Sequence, residues 1–136
     1  LINSGISNTL VQLGEYRGVG EHPEGRPWRL LISNPEHTDS IGEVEFTDAA
    51  IATSAGLGTP FDLSGKYHHI SNPENGYNDN EYLQVSVTAK KAAEADALAT
   101  AFLIMHPKKS ELLAKNLEVG FEVLNNQRKR IVITKA

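Results

Sequence analysis

Asp96 and Thr100 stand four residues apart in "AAEADALATAFLIMH", Ala92 to His106, where nearly every other position is a small or aliphatic helix former. On an α-helix this spacing puts a carboxylate and a hydroxyl one turn apart on one face. Two such oxygen donors suit a hard cation, because Mg²⁺ commonly takes one or two protein carboxylates and completes its octahedron with phosphate and water oxygens. The pair also has a structural reading: Asp96 bonds a backbone amide or an arginine, and Thr100 bonds the carbonyl one turn back. Positions 92, 96, 99, 100 and 103 share a face, so Asp96 is expected on a stripe with Ala92, Ala99 and Leu103. A carboxylate buried on that stripe needs a compensating partner.

The elements that would position this helix follow from periodicity. Residues 8–17 alternate as a strand, "WRLLIS" (28–33) is a strand ending at Asn34-Pro35, and "GEVEFT" (42–47) alternates with Val44 and Phe46 on one side. The first half of "AAIATSAGLGTPF" suits a strand and its Gly-rich second half a loop. "FDLSGKYHHI" reads as a hairpin around Ser64-Gly65, residues 71–82 as an Asn/Pro/Gly loop, and "LQVSVTA" (83–89) as a strand. The helix is expected at about 89–105 with Thr88 as its cap, and a second helix over "PKKSELLAKNL" with Pro107 in its first turn. "GFEVLNNQRKRIVITK" closes the chain as a hairpin turning at Asn125-Asn126. The expected class is therefore α+β: a mainly antiparallel sheet with two helices near the C-terminus, in a single domain spanning residues 1–136.

Composition narrows the chemistry further. With 136 residues, 40% hydrophobic and 22% charged, the chain can bury one sizeable core. Net charge is −4, and basic residues are scattered apart from "QRKR" at 127–130, which reads as a solvated hairpin edge. A nucleic-acid partner, which wants a basic face, is not expected. Cysteine is absent, so thiolate nucleophiles, disulfides and Cys-based zinc sites are excluded, and any metal must be held by oxygen or histidine.

"EADALATAFLIM" resembles the "ADALAT" helix of the ApbE-type flavin transferases, the FAD:protein FMN transferases. Further likenesses fall in the family's order: "GISNTLVQLG" with "GEHPEGRPWRLLISNP", then "AAIATSAG", then "KYHHISNPENGYNDN", then "VSVTA" leading into the helix. The resemblance runs from about Gly5 to Leu113 and implies the C-terminal half of the ApbE-like fold. It implies Mg²⁺ and FAD as cofactors and transfer of FMN to a Thr or Ser of an acceptor flavoprotein. Asp96 and Thr100 match the family's Mg²⁺ ligands, His69 matches a histidine beside the diphosphate with a catalytic or phosphate-holding role, and Thr53 and Ser54 match cofactor-binding positions. His68 is expected to face outward, and Pro73 and Gly76 to shape their loop.

The chain departs from the family at Leu13-Gly14-Glu15, where a glycine is missing or replaced, at Ser54-Ala55-Gly56-Leu57, at Asn72-Pro73-Glu74-Asn75-Gly76 and at His106. Family chains are about twice as long, so this sequence is expected to be a fragment or shortened version that works with a missing N-terminal half or a second chain. Two other outcomes fit the same residues: a non-catalytic flavin-binding or interaction domain, and an FAD pyrophosphatase releasing FMN and AMP. Family members are often periplasmic or lipid-anchored and some are cytoplasmic, which leaves the compartment open.

Overall fold

The computed structural model describes residues 2–77 and 81–134. In chain order the elements are β1 (Thr9–Gln12), β2 (Tyr16–Val19), β3 (Trp28–Ser33), β4 (Ser40–Phe46), β5 (Ala50–Ala55), β6 (Tyr82–Ala89), α1 (Ala92–Ile104), α2 (Pro107–Leu117), β7 (Gly120–Asn125) and β8 (Arg130–Thr134). Six strands form one antiparallel sheet in the order β1-β2-β5-β6-β7-β8, while β3 and β4 form a separate two-stranded hairpin. This is the expected α+β architecture with both helices late in the chain. No helix among the described residues is long and apolar enough to cross a membrane.

Helix α1 packs across β5 and β6. Its buried face is Ala95, Ala99, Phe102 and Leu103, each fully inaccessible to solvent. The stripe expected from the sequence is therefore corrected: Asp96 is exposed rather than buried, and Thr100 is half-buried. Apolar residues occur on every side of α1, so spacing alone could not say which side faces the sheet. The two bulkiest, Phe102 and Leu103, decide it, and Phe102 lies 4.7 Å centroid to centroid from Phe121 of β7. On the sheet side, Ala50 and Ala52 meet the helix, so small residues on both surfaces allow close approach.

Several expected boundaries move. Residues 8–17 are not one strand but the β1–β2 hairpin, turning at Leu13–Glu15 with Gly14 at φ +111°. Thr88 does not cap α1; it stays in β6, paired with Thr88's partners Ile51 on one side and Gly120 on the other, and Lys91 stands at the helix start without a side-chain cap. Ladder hydrogen bonds to two neighbouring strands outweigh one cap bond there. The hairpin expected at 61–70 is a turn region: Phe61 N–H donates to the Tyr67 carbonyl at 2.7 Å, and Pro60 faces His68 in a single bridge, without regular strands. Pro73 and Gly76 do shape a turn, closed by Gly76 N–H to the Asn72 carbonyl at 2.8 Å, while residues 78–80 of the expected 71–82 loop, and residue 135 of the closing hairpin, lie outside the described residues.

The β3–β4 hairpin is tied to the main sheet by polar bonds. Gln84 of β6, 2% exposed, donates from Nε2 to the Ser33 carbonyl at 2.9 Å. Arg130 of β8 donates to Glu122 Oε2 at 3.0 Å from Nε and 2.6 Å from Nη2, and from Nη2 to the Glu43 carbonyl at 3.1 Å. Gly42 is required under that guanidinium, since a Cβ there would stand 2.5 Å from Arg130 Cζ. The rest of "QRKR" lies in the solvated β7–β8 turn, where Arg128 pairs with Glu36 at 2.6 Å.

Phe102→Ala is expected to destabilise the fold by about 3–5 kcal/mol, read from urea unfolding, because it empties a fully buried site under the helix. Burial holds the Glu122 carboxyl above the ordinary carboxylate range, with Arg130 pulling the other way. The folded chain then binds this proton more tightly than the unfolded one, so the contribution to stability is full below the unfolded pKa of about 4.3 and is lost as pH rises through the raised folded value. Unfolding midpoints of the parent and Glu122→Gln, compared from about pH 4 to about pH 7, should show that decline only in the parent.

Candidate active site

A cavity of about 770 Å³ lies between the β1–β2 turn, strand β3, the C-terminal end of β5 and the exposed edge of α1. Strand β5 pairs with β6 along its whole length, but on the other side only Ala50 and Ile51 pair with β2. Ala52–Ala55 therefore present an open sheet edge toward the cavity, and Thr53, Ser54 and Ala55 line it. Such an edge offers backbone N–H groups to an anion.

All five residues singled out from the sequence line this one cavity: Thr53, Ser54, His69, Asp96 and Thr100. They arrive from three separate segments. Ser54, buried under α1, exchanges a hydrogen bond of 3.0 Å with Thr100 Oγ1. Thr53, on the opposite face of β5, exchanges one of 2.8 Å with Ser86 Oγ, its cross-strand partner. Thr100 thus bonds a serine hydroxyl across the helix–sheet interface rather than its own helix carbonyl. The Asp96 carboxylate has no hydrogen bond or ion pair with the described residues. The structural reading of this acid, a bonded amide or arginine, thus finds no partner among the described residues.

Of the two histidines, His69 lies at the cavity as expected, while His68, expected to face outward, is buried. His68 is the buried one and His69 the exposed one, turned to the cavity. Burial, with a smaller push from His69, lowers the pKa of His68, which favours its neutral form. Adjacent residues in an irregular turn point to opposite sides, and nothing in "YHHI" says which goes in.

Other lining residues carried less signal. Tyr16, Ile32, Ile51 and Ile70 supply an apolar wall, and Gln84 lies behind it. Gln84 was legible as an amide inside an alternating strand; Tyr16 and His37 reach the cavity only through the β1–β2 and β3–β4 turns. Gly14 also lines it, and nothing stands within 4 Å of where its Cβ would be, so the Leu13–Glu15 turn leaves that side open. Among the described residues no three His, Asp or Glu side chains gather as a metal cluster.

Comparison with known proteins places this geometry. The chain is 35% identical over 120 residues to a FAD:protein FMN transferase of Vibrio cholerae, covering 85% of this chain and 36% of that protein. It is 31% identical over 112 residues to the FAD:protein FMN transferase of Escherichia coli K12, covering 79% and 32%. Among solved structures, the ApbE protein of Thermotoga maritima superposes with a TM-score of 0.81 at 27% identity, over 92% of this chain and 42% of that one. The flavin transferase ApbE of Vibrio cholerae superposes with a TM-score of 0.77 at 31% identity, over 97% and 44%. The chain thus spans about a third of the length of these curated relatives. Residues 1–124 match the ApbE family, and the chain belongs to that family.

Proposed function

We propose that this chain carries the diphosphate-binding part of an FAD:protein FMN transferase, acting with Mg²⁺ and passing FMN to a Ser or Thr hydroxyl of an acceptor flavoprotein. The observation that carries this reading is the convergence on one cavity of the Asp96 carboxylate, which has no partner among the described residues, the Ser54–Thr100 hydroxyl pair, His69 and the open edge of β5. One carboxylate and one hydroxyl fit Mg²⁺, which is held by few protein donors with substrate phosphates completing its shell, and do not fit a metal that needs an all-protein cage. When bound, the ion would neutralise charge on the diphosphate and on the departing AMP.

The chain's own residues have separable tasks on this reading. Asp96 and Thr100 hold the cation, and Ser54 fixes the rotamer of Thr100. Backbone N–H groups of the β5 edge meet phosphate oxygens, and Thr53 borders the same edge. The acceptor oxygen forms a bond to the FMN phosphorus, the P–O bond to AMP breaks, and AMP leaves with the electron pair. The hydroxyl proton goes to a base at the cavity, for which exposed His69 is the candidate. Tyr16, Ile32 and Ile70 give the cavity an apolar side suited to a flat ring.

A binding-only role is the second reading, favoured by the altered turn at Leu13-Gly14-Glu15 beside the cavity. A rest of the polypeptide or a second chain would then supply what this cavity lacks. Hydrolysis of FAD uses the same site with water as nucleophile.

Calorimetric titration of the chain with FAD is expected to show binding that depends on Mg²⁺; equal affinity with and without the ion removes the metal role. Asp96→Asn should weaken metal-dependent FAD binding by about tenfold or more. Its melting temperature should stay unchanged, because the residue is exposed. AMP release from FAD without any acceptor protein would assign hydrolysis instead of transfer. For the hydroxyl pair, Ser54→Ala and Thr100→Val should each cost about 1 kcal/mol, and the double variant should cost less than their sum by about 0.5–1.5 kcal/mol. Full additivity would show that the two hydroxyls act independently.

A further inference from the structure

His68 is set apart from the other turn-forming side chains of this protein by its burial. Among the described residues, six other side chains accept a hydrogen bond from the backbone N–H two residues on: His22, Asp62, Ser64, Asn72, Asn75 and Asn125. All six of those bonds are at exposed turns. His68 makes the same bond, Nδ1 accepting from Ile70 N–H at 3.2 Å, with the residue only 9% exposed. Its ring is wedged against the end of β5: a Cβ at Gly56 would stand 2.2 Å from His68 Nε2 and 2.4 Å from Cδ2 and Cε1. Gly56 is therefore glycine because the imidazole occupies the space a side chain would need. The bond to Nδ1 leaves the proton of the neutral ring on Nε2.

These contacts surround the residue that faces the cavity. The bond spans His69, fixing the backbone on both sides of it, and Ile70 packs on the core while lining the cavity. Gly56 lies two residues past Ser54, so the same ring fixes the spacing between the hydroxyl end of β5 and the histidine.

We propose that His68 is a positioning residue: its ring, seated against Gly56 and accepting Ile70 N–H, holds the imidazole of His69 on the cavity wall. The geometry needs a compact acceptor at the position of Nδ1. Asparagine supplies one, as Asn72, Asn75 and Asn125 do in this chain. Leucine fills the space without accepting.

The test is NMR on the 136-residue chain without flavin, comparing the parent with His68→Asn, His68→Leu and Gly56→Ala. In His68→Leu the Ile70 amide should exchange with solvent at least about tenfold faster, and the His69 ring signals should broaden or shift. Amides of Ala99 and Phe102 in α1 should keep their protection. His68→Asn should restore the Ile70 amide and His69 signals. Gly56→Ala, which pushes the ring while leaving it in the chain, should reproduce the leucine pattern. If His68→Leu does not fold, Gly56→Ala against the parent decides the matter by the same signals. Unchanged Ile70 exchange and His69 signals in the leucine or alanine variant overturn the proposal, and so does an asparagine variant as perturbed as the leucine one. No readout uses FAD, so failure of the transferase reading does not move this result.

Discussion

The close contact between α1 and strand β5 is the constraint on which the rest depends. Alanines on both surfaces, Ala95 and Ala99 facing Ala50 and Ala52, remove the bulk that usually separates helix from sheet. That approach brings Thr100 within hydrogen-bond distance of Ser54. Larger side chains along this seam would lift the helix, part the hydroxyl pair and turn Asp96 away from the end of β5. Phe102 and Leu103 then lock the helix rotation by filling the core beneath it.

With α1 fixed on one face, the other walls of the cavity depend on how the β3–β4 hairpin is held. It shares no ladder with the six-stranded sheet. Its ties include the amide of Gln84 to the Ser33 carbonyl and the guanidinium of Arg130 bridging Glu122 and the Glu43 carbonyl. The Gln84 tie lies inside, where a paired polar group fixes orientation and a broken pair is costly, whereas the Arg130 bond to Glu43 is exposed. Gly18 lets the aromatic pair Trp28 and Phe46 seat against β2, since a Cβ there would stand 2.7 Å from Phe46 and 2.8 Å from Trp28. These contacts place Ile32 and Ser33 opposite the open edge of β5.

An open sheet edge inside a cavity is ordinarily a liability, because unpaired N–H and C=O groups seek partners. Here β2 stops pairing after two residues and the β1–β2 hairpin turns away at Gly14. The edge is left beside the Asp96 carboxylate and a histidine, with backbone N–H groups turned to the cavity. A sheet completed along β5 would have closed that position.

The sequence alone determined the strand-rich α+β class, both helices, the exact span of β3 and α2, and the family, because periodicity, turn residues and ordered short motifs are local properties. It also named Thr53, Ser54, His69, Asp96 and Thr100 as a set, through motif likeness rather than through geometry. Tertiary structure decided which side of α1 is buried, which histidine points inward, that β1–β2 is a hairpin, and that Thr88 belongs to a ladder instead of a cap. Each of those depends on a contact with residues distant in the chain: Phe121 under Phe102, Gly56 against His68, Ala50 beside Arg17, Gly120 opposite Thr88. A helix apolar on every side and two adjacent identical side chains carry no local information about direction, so only packing could choose.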